Sequence, residues 1–438
     1  MNTAIARPTG IPAHLEGEFK TLLSKTFSSE PNWLKEKRKE AFEKFSETGI
    51  PSRRSEEYKY TDVKKIFSGG FTAIHNELHK LKLDHSKIFI DKNSIKLIFV
   101  NGWLYKDSTL STNLPKGVVV GNLANEGLLL HSQLLQNKLN LSGDALAQLN
   151  HALWTDGALI FIPENCILET PIEILHIATG NNPVLANPRH LIIAEKNSSA
   201  NIIENNISFE LSTSVIVNSH TDISVGENAR IRYYRLQNEC KNAALISSIC
   251  VAQEKNSHFD TNTISLENDF VRNNLDISLN GENCESHLNG LFITDGTQHI
   301  DNHSCVYHGQ PNCQSNQLYK GILGGKSTGV FNGKIFVERD AQKTNAYQSS
   351  KNILLSDDST INTKPELEIY ADDVKCSHGS STGKIDQEAL FYLRARGLGE
   401  ASAKILLLHA FASDVLNTIR DEELKNYLTE LIEKNLNG

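Results

Sequence analysis

Cys376 and His378 stand two residues apart in a polar, Gly/Ser-rich segment, KCSHGSSTG. On an extended strand, residues i and i+2 point the same way. A thiolate and an imidazole sharing one face are good ligands for iron or zinc, yet two donors make only half a site. The other half would have to come from a neighbouring strand or from a partner chain. The bland reading is a buried thiol beside a solvated histidine, and spacing alone leaves both open.

A second enrichment, Cys284, Cys305 and Cys313 with His287, His299, His303 and His308, lacks the paired spacing of a closed zinc site. The run GILGGKSTG, Gly321 to Gly329, resembles a phosphate loop only superficially, because the position that must be glycine is Lys320. Its glycines are expected to serve turns between strands. No G-x-S-x-G or H-E-x-x-H motif is present, and the carboxylates are too dispersed to nominate an acid/base pair. Spacing by itself therefore nominates no enzyme.

The elements that would position these groups follow from pattern. Leu15, Phe19, Leu22 and Leu23, then Trp33, Leu34, Phe42 and Phe45, recur at helical spacing, so the front end reads as amphipathic helix. Short apolar runs, LIFVNGW and GVVVGNL, suggest a few transitional strands, and Gly143 to Trp154 a further helix. From Gly157 to about Gly383 the texture changes to β-branched runs with polar turns in a recurring phrase: IIAEKNSSANII, ISVGENARIRYY, VAQEKNSHFDTN, ISLNGENCESHL. The turn asparagines Asn197, Asn228, Asn256 and Asn283 are about 31, 28 and 27 residues apart, and the period continues near Asn312 and Asp340. Shorter steps of about 15 to 18 residues then reach Asp358 and Asp373. The longer interval reads as one full coil of a flattened solenoid and the shorter as half a coil. Turns favour Asn, Asp and Gly because these tolerate positive φ. The competing architecture is a sandwich of hairpins.

After Asp386, a good N-cap, three helices are expected, the last with Leu424, Leu428, Leu431 and Ile432 in one apolar stripe. Helices at the end of a solenoid commonly cover its open strands. The expected fold is thus mainly β: a right-handed parallel β-helix flanked by α-helical regions. Residues 1–155 form the N-terminal helical region with a few transitional strands, 156–384 the β-helix, and 385–438 the C-terminal helices.

Composition narrows the function classes. Forty-four Lys plus Arg against 52 Asp plus Glu give a net charge of −8, which argues against nucleic acid or anionic membrane as partner. The start of the chain lacks an apolar h-region, and no run approaches the roughly 18 apolar residues of a membrane span, so a cytoplasmic location is expected. Seven cysteines without a C-x-x-C pair read as reduced thiols. A β-helix polysaccharide enzyme, the rival of another class, would call for a carboxylate cluster repeating at coil spacing, and there is none.

Several stretches resemble the SufB/SufD family of iron–sulfur cluster assembly scaffolds, over nearly the whole chain. These are PSRRSEEYKYTDV (Pro51 to Val63), LNHALWTDGALIFIP, NPRHLIIAEKNSSANIIE, and above all the unbroken stretch from Phe331 to Gly397. Tyr58 departs from the pattern, standing where tryptophan is common. Within the family the chain is similar to the SufD branch. The longer SufB branch typically has a cysteine in the strand matching Tyr347 to Leu355, where this chain has Ser349 and Ser350, and a Glu after the histidine, where this chain has Gly379.

The resemblance implies pairing with a SufB-like paralogue through the β-helix ends, and binding of a SufC-like ATPase at the C-terminal helices. It implies a transient iron–sulfur cluster at the SufB interface, with no stably bound cofactor on the chain alone and any flavin confined to the assembled complex. The family's functional histidine maps onto His378. Cys376 would be a secondary ligand or structural. Phe391, Tyr392, Arg394 and Arg396 are the expected anchors of the ATPase-docking surface, since aromatic and Arg side chains dominate hot spots. Removing the residues after Gly383 is expected to abolish ATPase binding without unfolding the solenoid. A homodimer through the same edge is allowed when the paralogue is absent. The alternative is a purely structural subunit that contributes no cluster ligand.

Overall fold

The computed structural model describes residues 13–69, 71, 94–105, 114–127, 135–136, 138–139, 143–180, 182–211, 214–238 and 242–437. Its centre is a parallel β-solenoid of about eight coils. The chain passes alternately between two ten-stranded sheets, for example Arg230–Asn238 in the first sheet, Ala243–Gln253 in the second, and His258–Ser265 back in the first. Antiparallel pairs occur, among the described strands, only at the N-terminal end, where Val100 meets Trp103 and Val119 meets Phe161. A hairpin sandwich is thereby ruled out.

The turn asparagines explain the period. Asn165, Asn197, Asn228, Asn256, Asn283 and Asn312 all have φ between 57° and 63°, the left-handed region that costs asparagine little. The Nδ2 of each donates to the Oδ1 of the one below: Asn197 to Asn165 at 2.8 Å, then Asn228 to Asn197, Asn256 to Asn228 and Asn283 to Asn256 at 3.0 Å. One coil later the left-handed position falls to Lys343 (φ 59°) rather than to Asp340, where the phrase pattern placed the turn. The residue after each turn asparagine points inward and is small: Ser198, Ala229, Ser257, Cys284, Cys313. Cys284 and Cys313 are thus steps of a corner ladder, donating to backbone carbonyls such as Gly281 O at 3.1 and 3.3 Å. Gly324 to Ser327 likewise form a turn between two strands.

The lumen is apolar near its start, with Ile172, Ile174, Ile202, Ile231, Phe259 and Ile277 interlocked, and contains a buried pair of imidazoles. The backbone N–H of Ala158 donates to Nδ1 of His190 at 2.8 Å, so the proton of His190 sits on Nε2, 3.0 Å from Nε2 of His176. Neither ring can take a second proton without losing an acceptor. Burial accordingly pushes His190 down to about 3 and His176 down to about 4. Both rings stay neutral in the fold, whereas in the unfolded chain they protonate near pH 6.5. Their contribution is complete above about pH 6.5 and is lost as pH falls from there towards 4. Acidification from pH 6.5 to 4.5 should cost on the order of 3 kcal/mol from this pair. The shift is read from the urea midpoint at the two pH values, and His176→Gln should flatten the slope; an unchanged slope would mean the pair does not titrate.

Both flanks of the solenoid are covered. Helices α1 (Ala13–Ser24), α2 (Asn32–Thr48), α3 (Val63–Ile66) and α4 (Ala145–Leu153) bury Leu15, Phe19, Phe42, Phe45 and Leu149 against Ile216, Ile246 and Phe270 of the second sheet. At the other flank, α5 (Gln387–Ala395) starts at the Asp386 cap, followed by α6 (Glu400–Leu416) and α7 (Glu422–Asn437). Leu408, Ala412, Val415, Leu424, Leu428 and Ile432 pack on Ile203, Leu236, Ile264, Leu291 and Ile322 of the first sheet. Lys320, 3% exposed at its side chain, fastens α6: its Nζ lies 2.5 Å from Asp414, 2.8 Å from Phe411 O and 4.2 Å from the Phe411 ring centroid. The C-terminal helices therefore lie along a side of the solenoid and leave its end open. This corrects the expectation that the tail is separable, because its removal would strip an apolar flank.

Candidate functional site

The open end is formed by the strands Thr360–Ile369 and Lys375–Gly383, each the last member of its sheet. An edge strand presents unpaired N–H and C=O groups along one side, a template for another strand. Exposed apolar side chains gather on the same last coils: Tyr347 (42%), Leu355 (44%), Ile369 (37%) and Tyr370 (57%). Such residues so close to an open edge mark an interaction surface. Sequence reasoning did not single them out; the available signal was clearest for Tyr347, an aromatic residue between the inward-facing Ala346 and Gln348.

Cys376 and His378 lie on the terminal strand in register with Ala346 and Gln348, so both belong to the lumen side, as the i, i+2 spacing predicts. Their surroundings differ. Cys376 is half-buried against Ile335, Val337 and Ala346, and burial pushes its thiol up, which suits a structural role better than a free thiolate. His378 is exposed at the mouth. Behind it one file of lumen side chains runs Leu288, Gln317, Gln348, His378. Gln317 Oε1 accepts from Ser304 Oγ at 2.7 Å, whereas both amide atoms of buried Gln348 have no hydrogen-bond partner among the described residues. Ser380 Oγ reaches Thr363 Oγ1 across the lumen at 3.0 Å. The mouth is therefore polar, and among the described residues it carries one imidazole with Cys376 of the same strand as the other strong metal donor.

The Cys/His enrichment between 284 and 313 does not converge. His308 bonds Ser315 in the lumen at 2.9 Å, His287 pairs with Glu285 at 2.7 Å on the outside, and His299 meets Thr61 at 3.0 Å. Cys284 and Cys313 stay in the corner ladder, where contact with Cys313 lowers the Cys284 thiol.

Helix α5 offers a different surface. Leu390 is buried while Phe391 and Tyr392 stand 73% and 58% exposed. The Arg396 guanidinium lies 5.2 Å from the Tyr392 ring centroid, and Arg394 pairs with Glu400 at 3.4 Å. The four expected anchors thus fall on one exposed helix and its end. Two neighbouring uncovered aromatics on a capped, two-turn helix have no role in the chain's own core.

Residues 176–411 match the SUF system FeS cluster assembly, SufBD core domain, and residues 17–174 match the SufBD protein N-terminal region. The chain belongs to the SufBD family. A SufBD family protein of Synechocystis sp. (strain ATCC 27184 / PCC 6803 / Kazusa), described as an iron–sulfur cluster assembly protein, is 30% identical over 92% of this chain and 91% of its own length. The iron–sulfur cluster assembly protein SufD of Escherichia coli (strain K12) is 28% identical over 89% and 90%, and that of Bacillus subtilis (strain 168) 27% over 94% and 96%. The SufBD core match takes in the open end, His378, α5 and most of α6, so both surfaces described above belong to the family's shared domain. No helix among the described residues of this SufBD protein is long and apolar enough to cross a membrane.

Proposed function

We propose that this SufBD protein is the SufD-type subunit of a cytoplasmic iron–sulfur cluster assembly complex, a non-catalytic scaffold. Its open solenoid end would pair with the corresponding end of a SufB-like paralogue, and its α5 surface would receive a SufC-like ATPase. His378 would supply one imidazole to the nascent cluster, the cargo of the complex, with the remaining ligands coming from the paralogue. Movement of the ATPase would reach the cluster through α5 and α6, since Lys320 binds α6 to the strand Gln314–Leu323 inside the same coil stack. The observation that carries this reading is the uncovered terminal edge with His378 at its mouth.

Co-expression with SufB-like and SufC-like partners, followed by light scattering, tests it. A defined assembly containing all three proteins supports the reading; a chain that ignores both partners sinks it. Phe391→Ala and Tyr392→Ala should each weaken ATPase binding by on the order of 2 kcal/mol, roughly 30-fold in Kd, because each removes an exposed aromatic anchor. The circular dichroism and melting of these variants should stay as in the parent chain. Unchanged affinity in both would move the docking surface off α5.

A further inference from the structure

Parallel stacking aligns one outward residue per coil on the second sheet: Asp222 beside Cys250, Cys250 beside Asp276, Asp276 beside Cys305. Adjacent members of such a file are about 4.8 Å apart at the backbone. The file is roofed by the N-terminal region, and between them lies a cleft of about 260 Å³ lined by His220, Cys250, Asp276 and Cys305 with Glu57 and Asp144 of the roof. The donor atoms of His220, Asp222 and Cys250 lie within 4.8 Å of one another. Metal bonds of about 2.0–2.3 Å ask for ligand atoms roughly 3.3–3.8 Å apart, within reach of small side-chain rotations.

Asp222 is already held in place. Asp222 Oδ2 accepts from Arg189 at 2.7 Å, and Oδ1 lies 3.1 Å from Nε2 of His220. His220 Nε2 and Asp222 Oδ1 share one proton, and an ion held by both would displace it. Nδ1 of His220, a histidine with no exposed surface, has no hydrogen-bond partner among the described residues. The charge balance points the same way. The cleft's cations are engaged elsewhere, Arg272 with Asp301 and Lys334 with Glu368, while Asp276 has no ion pair or hydrogen bond among the described residues. Asp276 is exposed in the cleft, whose wall also carries the carboxylates of Asp144 and Glu57.

We propose that His220, Asp222 and Cys250 form a site for a divalent transition-metal ion of the Zn²⁺ or Fe²⁺ class, reached through the cleft and remote from the open end. Imidazole, carboxylate and thiolate together select such ions over Mg²⁺ or Ca²⁺. The site does not rest on the cluster-assembly reading. Binding would release the Cys250 proton, so metal and thiol ionisation are coupled.

Anaerobic titration of the reduced full chain with Co²⁺ tests it. One equivalent should produce a near-ultraviolet thiolate-to-Co²⁺ charge-transfer band, and Zn²⁺, then Fe²⁺ in a separate anaerobic run, should compete for it. Cys250→Ser should abolish the band and His220→Gln weaken Co²⁺ binding by about tenfold or more, whereas Cys376→Ser and His378→Ala should retain it. Peptide-level alkylation of the unmutated chain needs no variant to fold: Zn²⁺ should slow modification of Cys250 and leave Cys376 unaffected. No band, a band that survives Cys250→Ser, or Cys250 alkylation indifferent to Zn²⁺ would overturn the proposal.

Discussion

His378→Ala is expected to leave the solenoid, the melting temperature and the mass of the assembled complex unchanged, and to lower cluster formation on that complex by about tenfold or more. The imidazole is exposed at the mouth and supports no packing, so its loss should cost the fold nothing measurable. Behind it Gln348 and Gln317 are neutral amides, poor replacements for a nitrogen ligand, and Cys376 is held in an apolar corner. No neighbour can take over the role. The comparison is cluster absorbance per complex for parent, His378→Ala and Cys376→Ser; Cys376→Ser should retain most of it. Full cluster yield in His378→Ala would leave the chain a purely structural subunit that positions its partner.

The largest stability effect should come from Arg272. The residue is 1% exposed, its guanidinium lies 2.5 Å from Asp301 and 3.9 Å from the Tyr58 ring centroid, and Asp301 in turn accepts from Thr61 at 2.5 Å. This cluster locks the segment from Tyr58 to α3 onto the second sheet. Arg272→Met would leave the buried Asp301 carboxylate with only His303 and Thr61 as partners, at about 3 kcal/mol. Arg272→Met with Asp301→Leu should recover much of that, because the cost lies chiefly in a buried carboxylate short of its guanidinium. Native-state hydrogen exchange of the amides around Tyr58 and α3 measures it locally; equal losses in single and double variants would refute the charge argument.

The pH sign follows from the two titrating partners. Against the upward push of burial, Arg272 and His303 hold the Asp301 carboxyl far below the usual range, so its contribution persists down to about pH 4 and is lost below that. His303 is raised, Asp301 outweighing its burial, so its contribution is complete below about pH 6.5 and fades as pH climbs above that value. The lock should accordingly be tightest between about pH 4 and 6.5.

The coil architecture was legible in the residues because its cause is local. An asparagine tolerates positive φ wherever it sits, and a β-branched run is extended whatever it packs against, so the phrase around Asn197, Asn228, Asn256 and Asn283 announces the stacking before any contact is known. The same holds for the i, i+2 pairing of Cys376 with His378, for the Asp386 cap of α5, and for the family resemblance, which needs only the linear order of residues. Tertiary structure decided what depends on non-local register and on non-directional burial. The apolar stripe of α7 could have closed the solenoid end or covered its side, since burial rewards area and specifies no address; the complementary patch from Ile203 to Ile322 sent it to the side and left the terminal edge free. The file Asp222, Cys250, Asp276, Cys305 has unequal sequence steps, and a slip of one residue in any coil would have turned its members into the lumen, so only the observed pairing brings them under one roof.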